Sequence, residues 1–393
     1  MIGQIDEQPK KSFALFNLGF RPFFLLSAYF AAFLMAIWGL LYTNIIQLNT
    51  YYGLIDWHSH EMLFGYAAGV IAGFLLTAVR NWTNVATIAK TPLALLAGVW
   101  LLARILPFTP VPGLLIALLD IAFFFFLILA VAHPIIKARQ WHNMIIVAIL
   151  VSLMLADVLV QSQHLGFSQA GVMSGNTLAL YSILFIIQVL TGRVMPHFTR
   201  VVVPGTRVVE RPLLEKTLLT VLLLLALADV FALDGIIIAA LAAVLVVAHT
   251  LRVTPWFSKP VLNIPILWVL YAAYLWLIIG FILKALAGLE LVSNNLAIHA
   301  WTVGLIGITT YGMMARVALG HTGRDMVPSK LAVAGFYLLF ISAIIRVIVP
   351  LISMAHYIVW IEVSVLLWTT AFVLFAIAYT PVLTLPRVDG RAG

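Results

Sequence analysis

The 393-residue sequence contains no cysteine. This absence excludes disulfide bonds, iron–sulfur clusters and zinc or copper sites built from thiolates. It also excludes a haem that is attached covalently through a Cys-x-x-Cys-His motif. Any metal or haem bound by this chain must therefore be held by histidine, methionine, carboxylate or carbonyl groups.

Charged residues are scarce as well. They make up 9% of the chain, and 64% of the residues are hydrophobic, whereas an average soluble domain has about 25% charged residues. The composition excludes a soluble globular protein and predicts an all-α, polytopic integral membrane protein in a lipid bilayer. The first apolar run begins near Phe20 and is long enough to remain as a helix, so no cleavable signal peptide is predicted.

The length of the chain leaves room for about 12 membrane helices of about 20 apolar residues each. Proline and glycine residues mark the joins between the apolar runs. We predict a single 12-helix transmembrane domain over residues 1–393, with cytoplasmic segments at 1–19 and 382–393. The predicted spans are 20–43, 57–80, 92–107, 112–133, 141–166, 174–198, 212–231, 235–254, 262–287, 296–320, 330–350 and 355–381.

Lysine and arginine residues predict the orientation of these spans. With the N-terminus in the cytoplasm, only Arg104, Lys284 and Arg346 fall on the outer side, and the other 19 of the 22 basic residues fall at inner ends and loops. Both termini are therefore predicted to be cytoplasmic. The same distribution explains the net charge of +8 without any binding of nucleic acid.

Histidines lie at both ends of the predicted bundle. His299 and His321 flank one span and would stand roughly 33 Å apart at 1.5 Å per residue, so they cannot bind one metal ion together. His58 and His60 open the second span at the same depth as His299. Two imidazoles at matching depth can hold a haem iron, and imidazole also binds copper. The alternative explanation is that histidines gather at helix ends because the interface is wet.

The second span combines small residues with a charged group. Gly65, Gly69 and Gly73 form two small-xxx-small steps, which predict close packing against a neighbouring helix. On an α-helix, His58 would share a face with Glu61, and His60 would point to another face, about 100° away from Glu61 and about 160° away from His58. The pair His60-Glu61 begins like the zinc-protease motif H-E-x-x-H, but Phe64 occupies the place of the second histidine.

Carboxylates at membrane depth are costly, and they usually have a function. Asp120, Asp157 and Glu362 lie in the outer half of their spans, and Glu61 is shallower. They suit proton delivery or a hydrogen bond that tunes a metal ligand, and the alternative is a clamp between helices. At the inner ends of two spans, Arg193 and Arg316 could hold haem propionates or extend into the interface.

Five segments of the chain carry a more specific pattern: LFNLGFRPFF at 15–24, WHSHEMLFGYAAGVIAGFLLTAVRNWT at 57–83, TGRVMPHFT at 191–199, LWVLYAAYLW at 267–276 and HAWTVGLIGITTYGMMARVALGHTGR at 299–324. These segments resemble the NnrS family of bacterial inner-membrane proteins, and the resemblance covers the chain from end to end. It implies a 12-span protein that carries haem and copper and is associated with nitric oxide response, denitrification and resistance to nitrosative stress. The molecular activity of the family is not settled.

The resemblance also implies a set of site residues. The family's histidines map onto His58, His60, His299 and His321, and its polar site residues onto Glu61, Arg193, Arg316 and Arg324. We expect b-type haem with His60 and His299 as its axial pair, and His58 as a copper ligand or second ligand. His321, with Arg316 and Arg324, is expected to form a separate inner site or a propionate clamp.

Three positions depart from the family pattern, and at one of them Arg80 stands where a proline is commoner. His197 stands where phenylalanine is usual, so we do not count it as a ligand, and Tyr271 stands where histidine is common.

The chain also resembles, more weakly, the haem–copper oxidases and nitric oxide reductases. Proteins of that superfamily have 12 spans and carry outer haem ligands on spans 2 and 10, which would match His60 and His299. Their second metal needs histidines on spans 6 and 7, but span 7 has none here and His197 lies at an inner end. No reductase-type binuclear site is predicted.

The predicted function is protection against nitric oxide stress by a haem-mediated step, and both sensing and detoxification remain open. Nitric oxide is small and apolar, so it can meet a haem inside the bilayer. One alternative is a proton-coupled secondary transporter that uses Asp120, Asp157 and Glu362. Another is an assembly factor that handles haem or metal. The sequence does not determine the oligomeric state.

Overall fold

The computed structural model describes residues 13–203 and 211–391. Within these residues the chain forms twelve long helices and no strand, so the predicted all-α fold is confirmed. The helices are α1 Phe20–Tyr42, α2 Leu54–Thr83, α3 Lys90–Phe108, α4 Gly113–Lys137, α5 Trp141–His164, α6 Gly171–Val202, α7 Pro212–Val230, α8 Gly235–Trp256, α9 Pro265–Gly288, α10 Asn294–His321, α11 Lys330–Ile352 and α12 Tyr357–Thr384.

Eleven of these helices are long and apolar enough to cross a membrane. The exception, α7, has 19 residues and carries Glu215, Lys216 and Asp229. The chain is therefore a multi-pass membrane protein. Its twelve helices lie where the twelve spans were predicted, and the crossing of the membrane by α7 stays a prediction. Helix α12 runs to Thr384, slightly past the predicted start of the tail. Residues 1–12 and 392–393 of the predicted cytoplasmic segments lie outside the described part of the chain.

Successive helices alternate in direction, so the bundle has two chemically different ends. One end carries His60, and we call it the His60 end. The other, the basic end, carries the helix termini at Lys90, Lys137, Arg211 and Arg252. The prediction that the basic end faces the cytoplasm remains a prediction.

The first and last helices are joined at the basic end. Arg21 is fully buried, and its Nη1 donates hydrogen bonds to the carbonyl oxygens of Leu383 at 2.9 Å and Leu385 at 2.7 Å. The backbone N–H of Ala14 donates to the carbonyl of Thr384 at 2.9 Å. The last carbonyls of a helix have no partner within the helix, and a guanidinium satisfies them with both hydrogen bonds and charge.

The glycine stripe on α2 lets this helix approach its neighbours closely, as predicted. A Cβ atom at Gly73 would lie 2.9 Å from the Cβ of Phe23 and 3.0 Å from the Phe24 ring. A Cβ at Gly69 would lie 3.2 Å from the indole nitrogen of Trp100. Helix α2 is therefore wedged between α1 and α3, and this contact positions its polar N-terminal part.

Three segments of the described chain are π-helical, with one extra residue per turn. They are Glu61–Ala67 in α2, Ala300–Gly307 in α10 and Ile344–Ile348 in α11. The first directly follows His60, the second directly follows His299, and the third contains Arg346. Such turns are rare and are frequent at functional sites. All three lie at the His60 end of the bundle.

The packing at Gly73 gives a direct test. Gly73→Ala adds a methyl group against side-chain atoms near the α1 backbone, and overpacking of this kind costs about 1–3 kcal/mol. We expect a lower thermal unfolding midpoint for the detergent-purified protein. Gly98→Ala is the matched control, because a Cβ there has no neighbour within 4 Å. Equal midpoints for the two variants would show that the close contact does not limit stability.

Candidate functional site

His60 is the centre of a buried polar network at the His60 end. The side chain is fully buried, and its Nδ1 lies 3.2 Å from Glu61 Oε1. Its Nε2 lies 3.3 Å from Asp157 Oδ1 and 3.8 Å from Asp120 Oδ2. Both ring nitrogens therefore face carboxylate oxygens, which accept hydrogen bonds but cannot donate them when ionised. This geometry favours a doubly protonated imidazolium or a bound cation.

The contact between His60 and Glu61 differs from what a regular α-helix predicts. Sequence spacing placed Glu61 on the face of His58 and away from His60. The π-helical backbone begins at Glu61, where the 100° rotation per residue of an α-helix no longer applies. The Glu61 carboxylate consequently reaches the imidazole of its own neighbour.

Arg104 supplies positive charge to the same network. Its Nη1 donates to Glu61 Oε2 at 2.7 Å, and its Nη2 forms an ion pair with Asp120. All three side chains are buried, and they come from α3, α2 and α4. A buried ion pair loses its hydration, so it is stable only when each charge has close partners. The guanidinium between two carboxylates meets that condition.

Tyr52 and Gln161 complete the network with neutral groups. The Tyr52 hydroxyl donates to Asp120 Oδ2 at 3.0 Å, and its ring stacks on His60 with 4.2 Å between centroids. The Gln161 amide donates to the Tyr52 hydroxyl at 2.8 Å and to Asp157 Oδ1 at 3.3 Å. Burial, with the charges of Asp157 and Glu61, raises the pKa of Tyr52 well above its ordinary value. The phenol therefore stays protonated as a donor.

The network has an excess of negative charge. Three carboxylates face one guanidinium, and Asp157 Oδ2 has no hydrogen-bond partner among the described residues. Ligand atoms of His60, Asp120 and Asp157 all lie within 4.8 Å of one another. One imidazole and two carboxylates are a donor set for a divalent ion such as Zn²⁺ or Cu²⁺. The residues thus fit either a metal ion or one or more protons.

His58 and His299 belong to a second group, around Arg346. The Nδ1–H of His299 donates to the Asn295 carbonyl at 2.8 Å, and its Nε2 accepts from Arg346 Nη2 at 3.1 Å. These two bonds define a neutral imidazole. His58 stacks on Trp38 with 4.1 Å between centroids, and Arg346 is a charged neighbour of His58 as well. His58 Nδ1 and Arg346 Nη1 are buried and have no hydrogen-bond partner among the described residues.

The two histidines of the predicted haem pair, His60 and His299, lie in different groups. The hydrogen-bond partners of His60 are carboxylates and a phenol, whereas those of His299 are Arg346 and a backbone carbonyl. His58, rather than His60, shares the Arg346 neighbour with His299. The pairing of His60 with His299 stays a prediction, and the pairing of His58 with His299 becomes its alternative.

Glu362, predicted with Asp120 and Asp157 as a proton path, lies elsewhere. It is exposed on α12, whereas Asp120 and Asp157 are buried and reach the same His60 nitrogen. Two of the three predicted path residues therefore meet, and the third does not join them.

The predicted inner site is spread over several contacts at the basic end. His321 Nε2 lies 3.5 Å from Asn81 Nδ2, and its ring packs on Phe20. The Arg316 guanidinium carbon lies 3.3 Å from the centroid of Phe198. The remaining predicted arginines are Arg193, which donates to Asn143 Oδ1 at 2.7 Å, and Arg324, whose Nη1 has no partner among the described residues.

Two of the positions that depart from the family pattern, Tyr271 and His197, have local contacts. The Tyr271 hydroxyl donates to the carbonyl of Trp256 at 2.8 Å and lies 2.8 Å from the hydroxyl of Thr199. This phenol therefore ties α9 to α6 and α8. His197 is exposed, and its ring contacts Phe198.

Sequence reasoning missed Arg104, Arg346, Tyr52 and Gln161 as members of these groups. A signal for the two arginines was present, since Arg104 and Arg346 are two of the three basic residues that violate the predicted positive-inside distribution. The third, Lys284, is also buried and donates to Asp229 Oδ1 at 2.7 Å. In this chain, a basic residue that falls on the predicted outer side thus indicates a buried polar partner. Tyr52 and Gln161 carry no comparable signal.

The chain was compared with known proteins. A family model described as NnrS protein matches residues 14–387. No curated protein matches the chain. The family match spans nearly the whole sequence, which confirms the resemblance drawn from the five segments.

Loss of the Arg104 charge tests the ion pairs. Arg104→Gln leaves Glu61 and Asp120 without a counter-charge, and breaking a buried ion pair costs about 3–5 kcal/mol. We expect a clearly lower unfolding midpoint in detergent. Asp120→Asn added to the same chain removes one uncompensated charge and should restore part of the loss. Lys137→Gln, at an exposed helix end, is the control. A double variant no more stable than Arg104→Gln would contradict the charge balance.

Proposed function

Because this chain belongs to the NnrS family, we propose that it is a haem- and copper-binding protein of the bacterial inner membrane that protects the cell against nitric oxide. Family membership supports its involvement in the nitric oxide response. The family is also associated with metal or haem binding, and the buried group of His60, Asp120 and Asp157 fits that association. In this proposal both termini are cytoplasmic, and the His60 end faces outward.

The haem would be held by His58 and His299. The observation that carries this assignment is the buried Nδ1 of His58, which has no partner among the described residues. His299 donates from Nδ1 to the Asn295 carbonyl, which leaves its lone pair on Nε2. That nitrogen accepts from Arg346 Nη2, so Arg346 would have to leave it when iron binds. The unpartnered Nη1 of Arg346 suits a haem propionate. Because the chain has no cysteine, the haem would be b-type.

Copper would be held by His60, Asp120 and Asp157. Nitrogen and oxygen donors without thiolate or thioether favour Cu(II) over Cu(I). Glu61 would orient the imidazole through Nδ1, as carboxylates commonly do for metal-bound histidine. Arg104 would release Asp120 from part of its ion pair when the cation enters, because the added positive charge replaces that of the guanidinium.

Nitric oxide dissolves in the bilayer, and a haem held by His58 and His299 would bind it only when one of the two imidazoles is displaced. Residues of the chain would provide an apolar space for the gas and groups that exchange protons. A cavity of about 70 Å³ lies at mid-depth and is lined mainly by apolar side chains, among them Val70, Ile187 and Met313. Its size suits a diatomic gas. The His60 network would accept or supply protons through its carboxylates, and the Tyr52 phenol would stay protonated as a hydrogen-bond donor.

A second candidate function is a proton-coupled transporter. It is favoured by the contact of Asp120 and Asp157 with one imidazole, since such groups inside a membrane commonly relay protons. Colour distinguishes the two functions, because a transporter without cofactor purifies colourless.

Optical spectra of the purified protein test the haem assignment. We expect a Soret band in the wild type that shifts when nitric oxide is added to the dithionite-reduced protein. His58→Ala and His299→Ala should each lose most of that band, and His60→Ala should keep it. Loss in His60→Ala and His299→Ala instead would support the sequence-based pair. His356→Asn is the control, because His356 is exposed and asparagine tolerates its positive φ. A colourless wild type grown with haem available would overturn the proposal.

Metal analysis tests the copper assignment separately. Asp157→Asn removes one anionic ligand, and loss of a ligand or of its support lowers metal affinity by about 10- to 100-fold or more. We expect copper content to fall after dialysis against a weak chelator, with the Soret band retained. Copper that is unchanged in Asp157→Asn and in His60→Ala would place the metal elsewhere.

A further inference from the structure

A cavity of about 600 Å³ opens at the basic end, between α5, α6, α7 and α8, far from the His60 network. Its volume lies in the range of small-molecule sites. The residues that line it include Gln188, Gly192, Arg193, Arg200, Arg211 and Trp256. Neither the proposed haem ligands nor the proposed copper ligands face this cavity.

The cavity is positively charged. Arg193, Arg200 and Arg211 line it, and none of them forms an ion pair with a carboxylate among the described residues. Arg193 is held by Asn143, and Arg211 donates to the carbonyl of Leu251 at 3.1 Å. Both arginines are thus positioned by neutral partners, and their charges remain available. An anion that enters the cavity would meet three guanidinium groups, which bind phosphate and carboxylate oxygens with paired hydrogen bonds.

Part of the cavity wall is held in place by a buried arginine with defined hydrogen-bond partners. Arg252 is buried, donates from Nε to Glu215 Oε1 at 2.7 Å and from Nη1 to the Gln188 carbonyl at 3.1 Å. A Cβ at position 192 would overlap its guanidinium, so Gly192 is required for this arrangement. The pair of Arg252 and Glu215 is close to neutral and does not cancel the charge of the other arginines.

Gln188 provides an independent sign of a polar ligand. Its side chain is 2% exposed and lines the cavity. Neither its amide nitrogen nor its amide oxygen has a hydrogen-bond partner among the described residues. A buried polar group without a partner costs about 1–3 kcal/mol. A ligand that carries a hydroxyl or amine beside its anionic group would satisfy both atoms.

We propose that this cavity binds an anion of the phosphate-ester class that also carries a hydrogen-bonding hydroxyl or amine group. Arg193, Arg200 and Arg211 bind the phosphate oxygens, and Gln188 binds the neutral polar group. Two sources offer this chemistry at a membrane surface, namely the headgroup of an anionic phospholipid and a free phosphorylated metabolite. The site is separate from the haem and copper sites, so its failure would leave the proposed function untouched.

The first experiment measures anion binding to the full-length protein in a neutral detergent. Pyrophosphate is added at constant ionic strength, with chloride as the reference, because general screening must be kept equal. We expect pyrophosphate to raise the unfolding midpoint in a saturable way. Arg200→Gln and Arg211→Gln should each weaken binding about tenfold, the effect of losing one hydrogen bond between charged groups. Gln188→Leu should leave pyrophosphate binding nearly unchanged, since pyrophosphate has no alcohol or amine group. Lys137→Gln, outside the cavity, is the control.

The second experiment distinguishes the two sources. The protein is purified from membranes, and bound phospholipid is identified by mass spectrometry. An anionic phospholipid that is retained by the wild type and by Lys137→Gln but lost from Arg200→Gln, Arg211→Gln and Gln188→Leu supports a lipid site. Pyrophosphate binding that depends on the arginines, without retained lipid, supports a metabolite site. If the arginine variants differ from Lys137→Gln in neither measurement, the proposal is wrong. The Soret band of every variant is recorded, and we expect it to be unchanged.

Discussion

The Arg104 guanidinium, held between Glu61 and Asp120, is the interaction on which the arrangement at the His60 end depends. Carboxylates from α2 and α4 are drawn to a cation from α3, inside a region where water does not compensate them. Charges placed in such a medium are stable only with close partners. The partners must then be kept in register by apolar packing. The close fit of Gly69 and Gly73 against α1 and α3 supplies that register.

The negative charge that Arg104 leaves uncompensated makes the His60 end attractive to cations. Among the described residues, three carboxylates and an imidazole share one guanidinium, and this excess of negative charge attracts either protons or a divalent metal ion. The neighbouring group around Arg346 has the opposite character, since a guanidinium lies beside a neutral His299 and beside His58. Two groups of contrasting charge thus begin two residues apart along α2, at His58 and His60, and share no side chain.

The three π-helical segments lie at the polar residues of both groups and change the directions of the side chains there. Each extra residue in a turn shifts the following side chains around the helix, and in α2 this change begins at Glu61. The π-helices also follow His299 directly and include Arg346. Helical-wheel reasoning from the sequence assumed a regular α-helix and so assigned Glu61 to the wrong histidine. A π turn depends on the contacts of neighbouring helices, and no residue pattern in the sequence marks it.

The sequence by itself determined the class, the number of helices and most of their boundaries, because a bilayer demands long apolar runs and a chain with few charges has few ways to supply them. It also pointed to His60, Asp120 and Asp157 as separate candidates, since polar groups at membrane depth are conspicuous. Their convergence on one imidazole, the exclusion of Glu362 and the role of Arg104 were decided by the tertiary structure. Depth along a helix can be read from residue numbers, but the partner across a bundle depends on helix order and rotation, which only packing determines.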